Sequence, residues 1–170
     1  MAANPYEAPQ SRVADINEET GYQPIKMWSA AGRVGRLRYL AYTTGASFVV
    51  GILSAVLSGV LGAELGTMIT LIAYIPLMLF CILIGIQRSH DMNWSGWTIL
   101  LALIPLVGFI WLFKAGSEGA NEYGNPPPPN TTGVKILAAI LPIIIVVGIV
   151  AAIAIPAYVD YTKRAQTQQN

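Results

Sequence analysis

The chain has 170 residues, of which 54% are hydrophobic and only 11% are charged, and its formal net charge is +1. A soluble domain carries about 25% charged residues, so this composition excludes an ordinary soluble fold. No basic face or array of stacking aromatic residues accompanies the small net charge, so nucleic acid is not an expected partner.

The N-terminal residues 1–27 are rich in Pro, Gln, Asn and Glu and contain no apolar stretch of the kind found in a signal peptide. Such a segment buries too little apolar area to offset the entropy lost on ordering. We therefore predict a disordered cytoplasmic tail, and we expect the first membrane helix to act as an uncleaved anchor.

Four stretches contain no Asp, Glu, Lys or Arg, namely residues 39–63, 65–87, 92–113 and 136–159. Each exceeds the about 20 residues that a helix needs to cross a bilayer core of about 30 Å. The sequence therefore predicts an all-α polytopic membrane protein with about four transmembrane helices, three in one unit and one at the C-terminal end. The single cysteine, Cys81, lies in the second stretch and has no internal disulfide partner.

Basic residues predict the orientation of the chain. Arg33, Arg36 and Arg38 crowd the approach to the first helix, and cytoplasmic segments are enriched in such residues. This end is expected in the cytoplasm, and four spans also place Lys163 and Arg164 inside. The three arginines are interpreted as a topology signal or, alternatively, as a site for anionic lipid phosphates.

Small residues mark helix-packing faces. Gly51, Ala55 and Gly59 recur every fourth position in the first stretch, and Gly148 and Ala152 do so in the last. Small residues at this spacing let helix backbones approach closely in lipid. The first two helices are expected to form an antiparallel hairpin, and the small faces serve either intramolecular packing or self-association.

A polar link joins the second and third stretches and is the candidate functional loop. It contains Arg88, His90, Asp91, Ser95 and Trp97. Arg88 and Asp91 are three positions apart and would pair if the helix continues through them. Ser95 and Trp97 are typical of a helix cap and an interfacial anchor. His90, the only histidine, is interpreted as structural or as a proton or ligand sensor.

These residues do not predict a catalytic centre or a metal site. Zinc needs three or four ligands, whereas the link offers one histidine and one aspartate. A triad of Ser89 or Ser95 with His90 and Asp91 is not expected, because neighbouring His and Asp side chains rarely form the required relay. We therefore predict no catalytic residue, no metal, no cofactor and no enzymatic activity.

The third connection is rich in turn residues. Gly119, Asn121 and Gly124 favour turns, and the prolines at 126–129 favour a stiff spacer. The expected domains are a three-helix membrane unit over residues 28–125, a Pro-rich hinge over 126–134, and a C-terminal helix with a short polar tail over 135–170.

Three blocks of sequence share their order and spacing with a known family. The blocks are Gly32-Arg33-x-Gly35-Arg36, Arg88-x-His90-Asp91 followed by Ser95-Gly96-Trp97, and Gly119-x-Asn121-x-Tyr123-Gly124. Over residues 28–128 the chain thus resembles the bacterial inner-membrane family known as domain of unknown function 805. The resemblance implies a small multi-pass inner-membrane protein and supplies no activity.

Residues 148–166 are similar to the N-terminal helix of type IV pilins. The likeness runs from Gly148-Ile149-Val150 to Lys163-Arg164-Ala165-Gln166, although Val134 and Ala139 stand at the positions of the pilin cleavage glycine and glutamate. A pilin helix leaves its C-terminal end outside the cell, whereas four spans place this end inside. The span count, the side of the N-terminus or the meaning of the likeness must therefore change.

The expected function is that of a non-enzymatic interaction or scaffold protein, with a link to type IV pilus or envelope assembly. Its expected partners are the lipid bilayer and membrane proteins, such as pilins or assembly components, or a second copy of the chain. The alternative is a small transporter, channel or ion-sensing membrane protein.

Overall fold

The computed structural model describes residues 21–167, and most of this part of the chain is helical. The elements are α1 (Arg36–Leu61), α2 (Ala63–Asp91), a 3₁₀ helix (Gly96–Leu103), α3 (Pro105–Phe113) and α4 (Thr132–Thr167). The predicted all-α polytopic fold is confirmed. Of the predicted disordered tail, residues 1–20 lie outside the described residues.

α1 and α2 form the expected antiparallel hairpin. Gly62 joins them with a φ of +84°, a backbone conformation that favours glycine. Gly66 lies directly against Ser58, and a Cβ there would come within 2.4 Å of the Ser58 Cα. The absence of a side chain at residue 66 therefore allows the two helices to approach closely where they leave the turn.

Three helices are long and apolar enough to cross a membrane. They are α1, α2 and the part of α4 from Thr132 to Arg164. Their most apolar segments are almost entirely exposed, so their side chains face outward rather than into a protein core. Lipid suits such a surface because its acyl chains impose no cost on exposed apolar side chains.

The third apolar stretch, residues 92–113, differs from the single span that the sequence predicted. It forms the 3₁₀ helix Gly96–Leu103 and then α3, Pro105–Phe113. The break follows from Pro105, because the residue before a proline avoids the helical region. Ile104 is accordingly extended, with φ −82° and ψ 115°. The two pieces measure about 16 Å and about 13.5 Å, roughly half of the bilayer core each.

The 3₁₀ helix and α3 together make a re-entrant hairpin, residues 96–113. A Cβ on Gly85 of α2 would lie 2.4 Å from Ile99 Cδ1, so the 3₁₀ helix runs back along α2. α3 then returns, since the Trp94 and Trp111 ring centroids are 5.8 Å apart. The hairpin therefore begins and ends on the same side of the molecule, the side where α2 ends.

α4 packs on α1 in a parallel direction. Ala41 is buried against Val134 and Ala138, and Leu137 contacts Gly45. Among the described helices, α4 contacts α1 alone. Because both helices begin on the same side and α2 returns to it, three spans place residues 21 and 167 at opposite faces of the molecule.

The segment that the sequence predicted as a hinge is attached to the base of α1. Arg38 donates hydrogen bonds from Nη1 to the Pro128 carbonyl (2.9 Å) and from Nη2 to the Pro129 carbonyl (3.0 Å). The Gln23 amide donates to the Pro126 carbonyl at 3.1 Å. These contacts link the segment to the α1 side of the molecule, and the proposed domain boundaries stay a prediction.

Candidate functional site

Three buried charged side chains form the centre of the candidate site, which we call the Arg–Asp cluster: Arg33, Arg88 and Asp91. Arg33 precedes α1, while Arg88 and Asp91 lie one turn apart at the end of α2. Their exposed fractions are 1%, 0% and 4%. Charges removed from water this completely need ionic and hydrogen-bond partners to offset the lost hydration.

Arg33 connects three parts of the chain. Its Nε and Nη2 donate to Asp91 Oδ1 at 3.2 and 3.1 Å. Nη2 also donates to the Ser117 carbonyl at 2.7 Å, and Nη1 donates to the carbonyls of Gly119 (2.7 Å) and Gly124 (3.1 Å). One guanidinium therefore fixes the loop of residues 114–125 to the end of α2.

Arg88 anchors the return of the re-entrant hairpin. Its Nη1 donates to Asp91 Oδ2 at 2.7 Å, so the expected pair forms. Nε donates to the Trp111 carbonyl at 2.9 Å, and Nη2 donates to the Lys114 carbonyl. Both carbonyls lie at the C-terminal end of α3, where a cation interacts favourably with the helix dipole.

The Arg–Asp cluster holds two formal positive charges against one negative charge. Both carboxylate oxygens of Asp91 accept from arginines, and five backbone carbonyls accept one further hydrogen bond each. Carbonyl dipoles oriented toward a guanidinium stabilise its charge without a second acid. All three guanidinium nitrogens of each arginine are thus engaged within the protein.

A glycine is required beside the cluster. Gly116 lies so close to Asp91 that a Cβ would come within 2.0 Å of Oδ2. The Ser117 amide donates to the Asp91 backbone carbonyl at 2.7 Å. Because the loop backbone lies directly on the aspartate, no side chain fits at residue 116. The spacing of residues in the sequence gives no sign of this requirement.

His90 is held in the same region by packing and hydrogen bonds. Its Nδ1 lies 3.2 Å from the Gly32 carbonyl, which can only accept, so Nδ1 carries the hydrogen. Its ring stacks on Tyr123 with centroids 3.9 Å apart. Asn121 Nδ2 donates to the His90 carbonyl at 2.8 Å. The polar link that contains His90 and the loop of residues 114–125 therefore meet at this residue.

The side chains that could form a triad point to other partners. Ser89 Oγ donates to the Gly85 carbonyl at 3.1 Å and accepts from Trp111 Nε1 at 3.0 Å. The Asp91 carboxylate faces the two arginines rather than His90. No relay from Asp91 through His90 to Ser89 is assembled, and the serine instead fixes a buried tryptophan.

Ser95 and Trp97, expected as a cap and an anchor, begin the 3₁₀ helix. The Ser95 side chain forms no capping hydrogen bond, whereas its carbonyl accepts from the Thr98 amide and hydroxyl. Trp97 is 80% exposed, as an interfacial residue would be. Both therefore lie at the mouth of the re-entrant hairpin rather than in the Arg–Asp cluster.

Gln87 is a buried residue that sequence reasoning missed. It is fully buried, and its Nε2 donates to the carbonyls of Lys26 (2.8 Å) and Ser29. The backbone carbonyl of Gln87 accepts a hydrogen bond from the Val34 amide at 3.1 Å. Gln87 therefore connects the segment before α1 to α2. The sequence feature that could have indicated this role is its position as a polar residue at the end of an apolar stretch.

The three arginines before and in α1 do not share one environment. Arg36 is exposed, as a lipid-facing or topology residue would be, but Arg33 and Arg38 are buried. Arg33 and Arg38 donate to protein carbonyls, which does not favour the alternative of a lipid-phosphate site for these two residues, and the topology signal stays a prediction. The spacing of the three arginines in the sequence could not show which of them is buried, because their burial depends on how the Pro-rich segment and the loop fold onto α1.

The predicted packing residues Gly51, Ala55, Gly59, Gly148 and Ala152 are all exposed. A Cβ built on any of the three glycines meets no atom within 4 Å. Their role in helix packing stays a prediction. Within residues 21–167 no group of three His, Cys, Asp or Glu residues is placed to hold a metal ion.

Comparison with known proteins identifies the family. The family model described as "Protein of unknown function (DUF805)" matches residues 27–125. The chain belongs to this family. Two curated relatives, both described as "Inner membrane protein YhaI", come from Escherichia coli strain K12 and Escherichia coli O157:H7. Each is 33% identical over 104 residues, covering 57% of this chain and 84% of the relative. No solved structure matches.

The DUF805 match contains the whole Arg–Asp cluster, the re-entrant hairpin and the loop that holds Arg33. It ends at residue 125, before the Pro-rich segment and α4. The family assignment thus applies to the part of the chain that the cluster holds together.

Proposed function

We propose that this protein is a non-enzymatic interaction or scaffold protein of the bacterial inner membrane. The observation that carries the proposal is the internal use of the Arg–Asp cluster: every guanidinium nitrogen of Arg33 and Arg88 donates within the protein. The cluster therefore has the chemistry of a fastening point, which positions the re-entrant hairpin and the adjacent loop. The name of the curated relatives supports the inner-membrane location.

The surface of the re-entrant hairpin supports an interaction role. Leu103 and Leu106 at its apex are each 81% exposed, on either side of the extended residue Ile104. Irregular backbone at membrane depth is tolerated where protein or a water-filled cavity covers it. A protein partner at the apex would satisfy that requirement.

Site-specific photo-crosslinking in living cells tests the scaffold proposal. A photoreactive residue at Leu103 is expected to give one or a few discrete protein adducts. The matched control is Val60, which is similarly exposed at 75% but lies at the far end of α1. The proposal would be removed if Leu103 and Val60 gave the same set of adducts with different yields and no discrete protein was crosslinked at Leu103.

A sharper form of the proposal gives α4 the role of contacting pilins or pilus-assembly proteins. Its support is the sequence likeness of residues 148–166 together with the three-span topology, which places the two ends of the chain on opposite sides. With a cytoplasmic N-terminus, α4 would cross in the direction of a pilin helix. Crosslinkers at Gly148 and Ala152 test this form; recovery of lipid or random neighbours alone would sink it.

A second candidate function is transport, conduction or ion sensing. The re-entrant hairpin favours it, because membrane-buried half-helices also line the pathways of channels and transporters. Flux into proteoliposomes measures it, with Arg88→Ala and Asp91→Asn as comparison variants. Wild-type flux no greater than that of empty liposomes, for a panel of ions and small solutes, would dismiss this candidate.

A further inference from the structure

The contact between α1 and α4 stops part-way along both helices. It comprises Ala41 against Val134 and Ala138, Gly45 against Leu137, and a groove shared by Thr44 and Leu141. From residue 142 onward, every α4 residue whose side chain is described is exposed, apart from Ala151 and Thr162. The outer part of α4, residues 142–164, therefore stands away from α1.

The faces that meet at the base continue along both helices. Gly51 lies one heptad beyond Thr44, and Gly148 lies one heptad beyond Leu141. Residues a heptad apart stay within about 20° on a straight helix, so the contact face of each helix leads to a small residue. Because the helices are parallel at their base and rise equally per residue, these two glycines would lie at the same depth if α4 continued straight along α1.

A second pair follows the same register. Ala55 is two heptads beyond Ala41, and Ala152 is two heptads beyond Ala138. Aligned along their whole length, the two helices would therefore present small residues to each other at matching depths, which is the condition for close backbone approach in lipid. In the structure both alanines are exposed.

Pro142 lies at the point where the contact ends. It is inside α4, directly after Leu141. A proline within a helix lacks the hydrogen bond to the carbonyl four residues earlier and pushes that carbonyl aside, so helices bend at such positions. The described contact between α1 and α4 therefore ends one residue before a position at which a helix can bend.

We propose that α4 moves about Pro142 between the splayed position seen here and a closed position. In the closed position residues 142–164 of the same chain lie along α1, with Gly51 against Gly148 and Ala55 against Ala152. The occupant of the small-residue face of α1 is therefore the chain's own α4, because that face continues an interface which already exists between them. Closure withdraws the outer part of α4 from other partners, and splaying presents it.

Disulfide trapping in native membranes tests the proposal with full-length protein. In a Cys81→Ser background, Ala55→Cys and Ala152→Cys are combined and mild oxidant is added. Free thiols are counted by alkylation with a maleimide polymer and gel mobility. A disulfide needs Cα atoms within about 7 Å, so the internal bond is expected at a rate roughly fivefold or more above that of a control pair. The control pair is Leu53→Cys with Ala152→Cys, since Leu53 is exposed on another face of α1.

Each outcome decides the matter. Equal disulfide-formation rates for the two cysteine pairs would overturn the proposal. A disulfide-linked dimer in place of the internal bond would also overturn it, because a second copy of the chain would then cover the small-residue face of α1. Pro142→Ala in the trapping background separates the hinge from general mobility. It restores the missing hydrogen bond and is expected to raise the trapping rate about twofold or more by straightening α4 along α1. A rate that falls or stays the same would reject Pro142 as the hinge.

Discussion

Arg33 shows what a planar guanidinium does in this fold. One of its edges meets the Asp91 carboxylate, while the remaining donors meet three loop carbonyls. Such contacts require several donors in a fixed plane, which lysine lacks. The residue therefore acts as a connector between α2 and the loop, and its worth depends on shape as well as charge.

Replacing Arg33 is expected to destabilise the protein strongly. Arg33→Ala removes one partner of a buried ion pair, a change that costs roughly 3–5 kcal/mol. Arg33→Lys keeps the charge but is expected to recover less than half of that loss, because the carbonyls of Gly119 and Gly124 stay unpaired. The measurement is unfolding in mixed micelles of mild detergent and dodecyl sulfate, followed by tryptophan fluorescence.

Arg36 provides the control for charge at this end of α1. Its side chain is exposed, and the hydrogen bond that it donates to the Phe113 carbonyl is long, at 3.4 Å. Arg36→Lys is expected to shift the unfolding midpoint by little, since exposed polar contacts contribute at most about 1 kcal/mol. If Arg33→Lys and Arg36→Lys unfold at the same midpoint, the connector role of Arg33 is refuted.

A side chain at residue 116 is expected to destabilise the protein. Gly116→Ala forces the loop or Asp91 to move, because the new Cβ would lie 2.0 Å from Oδ2. Overpacking of this kind costs roughly 1–3 kcal/mol, and here it also disturbs a buried charge. In the same unfolding assay Gly133→Ala is the matched control, since its Cβ would meet nothing closer than 4.0 Å. Equal midpoints for the two variants would contradict the close approach.

The sequence predicted the short-range half of the Arg–Asp cluster and missed the long-range half. Arg88 and Asp91 lie three apart on one helix, so helical spacing alone brings them together. Arg33 is 58 positions from Asp91 along the chain. Its partner depends on how the loop folds over α2, and no local pattern carries that information. Gly116 could not be distinguished from other loop glycines for the same reason.

At the scale of elements, one proline distinguishes a re-entrant hairpin from a transmembrane helix. The stretch of residues 92–113 has the length and apolar character of a span, and both structures bury apolar side chains in lipid equally well. Only Pro105 and the extended Ile104 before it separate the two. Hydropathy therefore predicted membrane residence of this stretch and could not predict its direction.

Thiol labelling tests the re-entrant hairpin directly. In a Cys81→Ser background, Ser95→Cys and Glu118→Cys place single thiols before and after the hairpin, both at exposed positions. Because the hairpin returns to the side it left, a membrane-impermeant maleimide is expected to label both from the same side of the membrane. Right-side-out and inverted vesicles provide the two orientations.

Glu64→Cys supplies the comparison for that experiment. It lies exposed at the turn between α1 and α2, one full span away. It is expected to be labelled in the vesicle orientation that protects the other two thiols. Labelling of Ser95→Cys and Glu118→Cys from opposite sides would instead establish a complete span and remove the re-entrant hairpin.

For the whole molecule, the change from four spans to three redistributes the charges. The side that carries the Arg–Asp cluster has most of the basic residues that follow the N-terminal tail, and the opposite side has two. On the cluster side these are Lys26, Arg33, Arg36, Arg38, Arg88, Lys114 and Lys135; on the other they are Lys163 and Arg164. The excess favours the cluster side as cytoplasmic.

A three-span arrangement also changes the direction in which α4 would cross the membrane. Four spans placed Lys163 and Arg164 on the cytoplasmic side, opposite to the end of a pilin helix. With the hairpin returning to its own side, three spans direct α4 away from the cluster, which is also the direction of a pilin helix. The family match ends at residue 125 and gives no support to the pilin likeness of residues 148–166, so a role for that likeness stays a proposal.

The C-terminal end of α4 is expected to lie outside the cytoplasm. Alkaline phosphatase, which is active only outside the cytoplasm, is fused after residue 167 of the full chain, and green fluorescent protein is fused at the same position. With the Arg–Asp cluster cytoplasmic, high phosphatase activity and weak fluorescence are expected. Fusions after Glu64 and after Glu118 calibrate the assay. The Glu64 fusion is expected to show high phosphatase activity and weak fluorescence, as the C-terminal fusion does, and the Glu118 fusion is expected to show low phosphatase activity and bright fluorescence. Bright fluorescence after residue 167 together with phosphatase activity after Glu64 would require an even number of spans and would overturn the three-span topology.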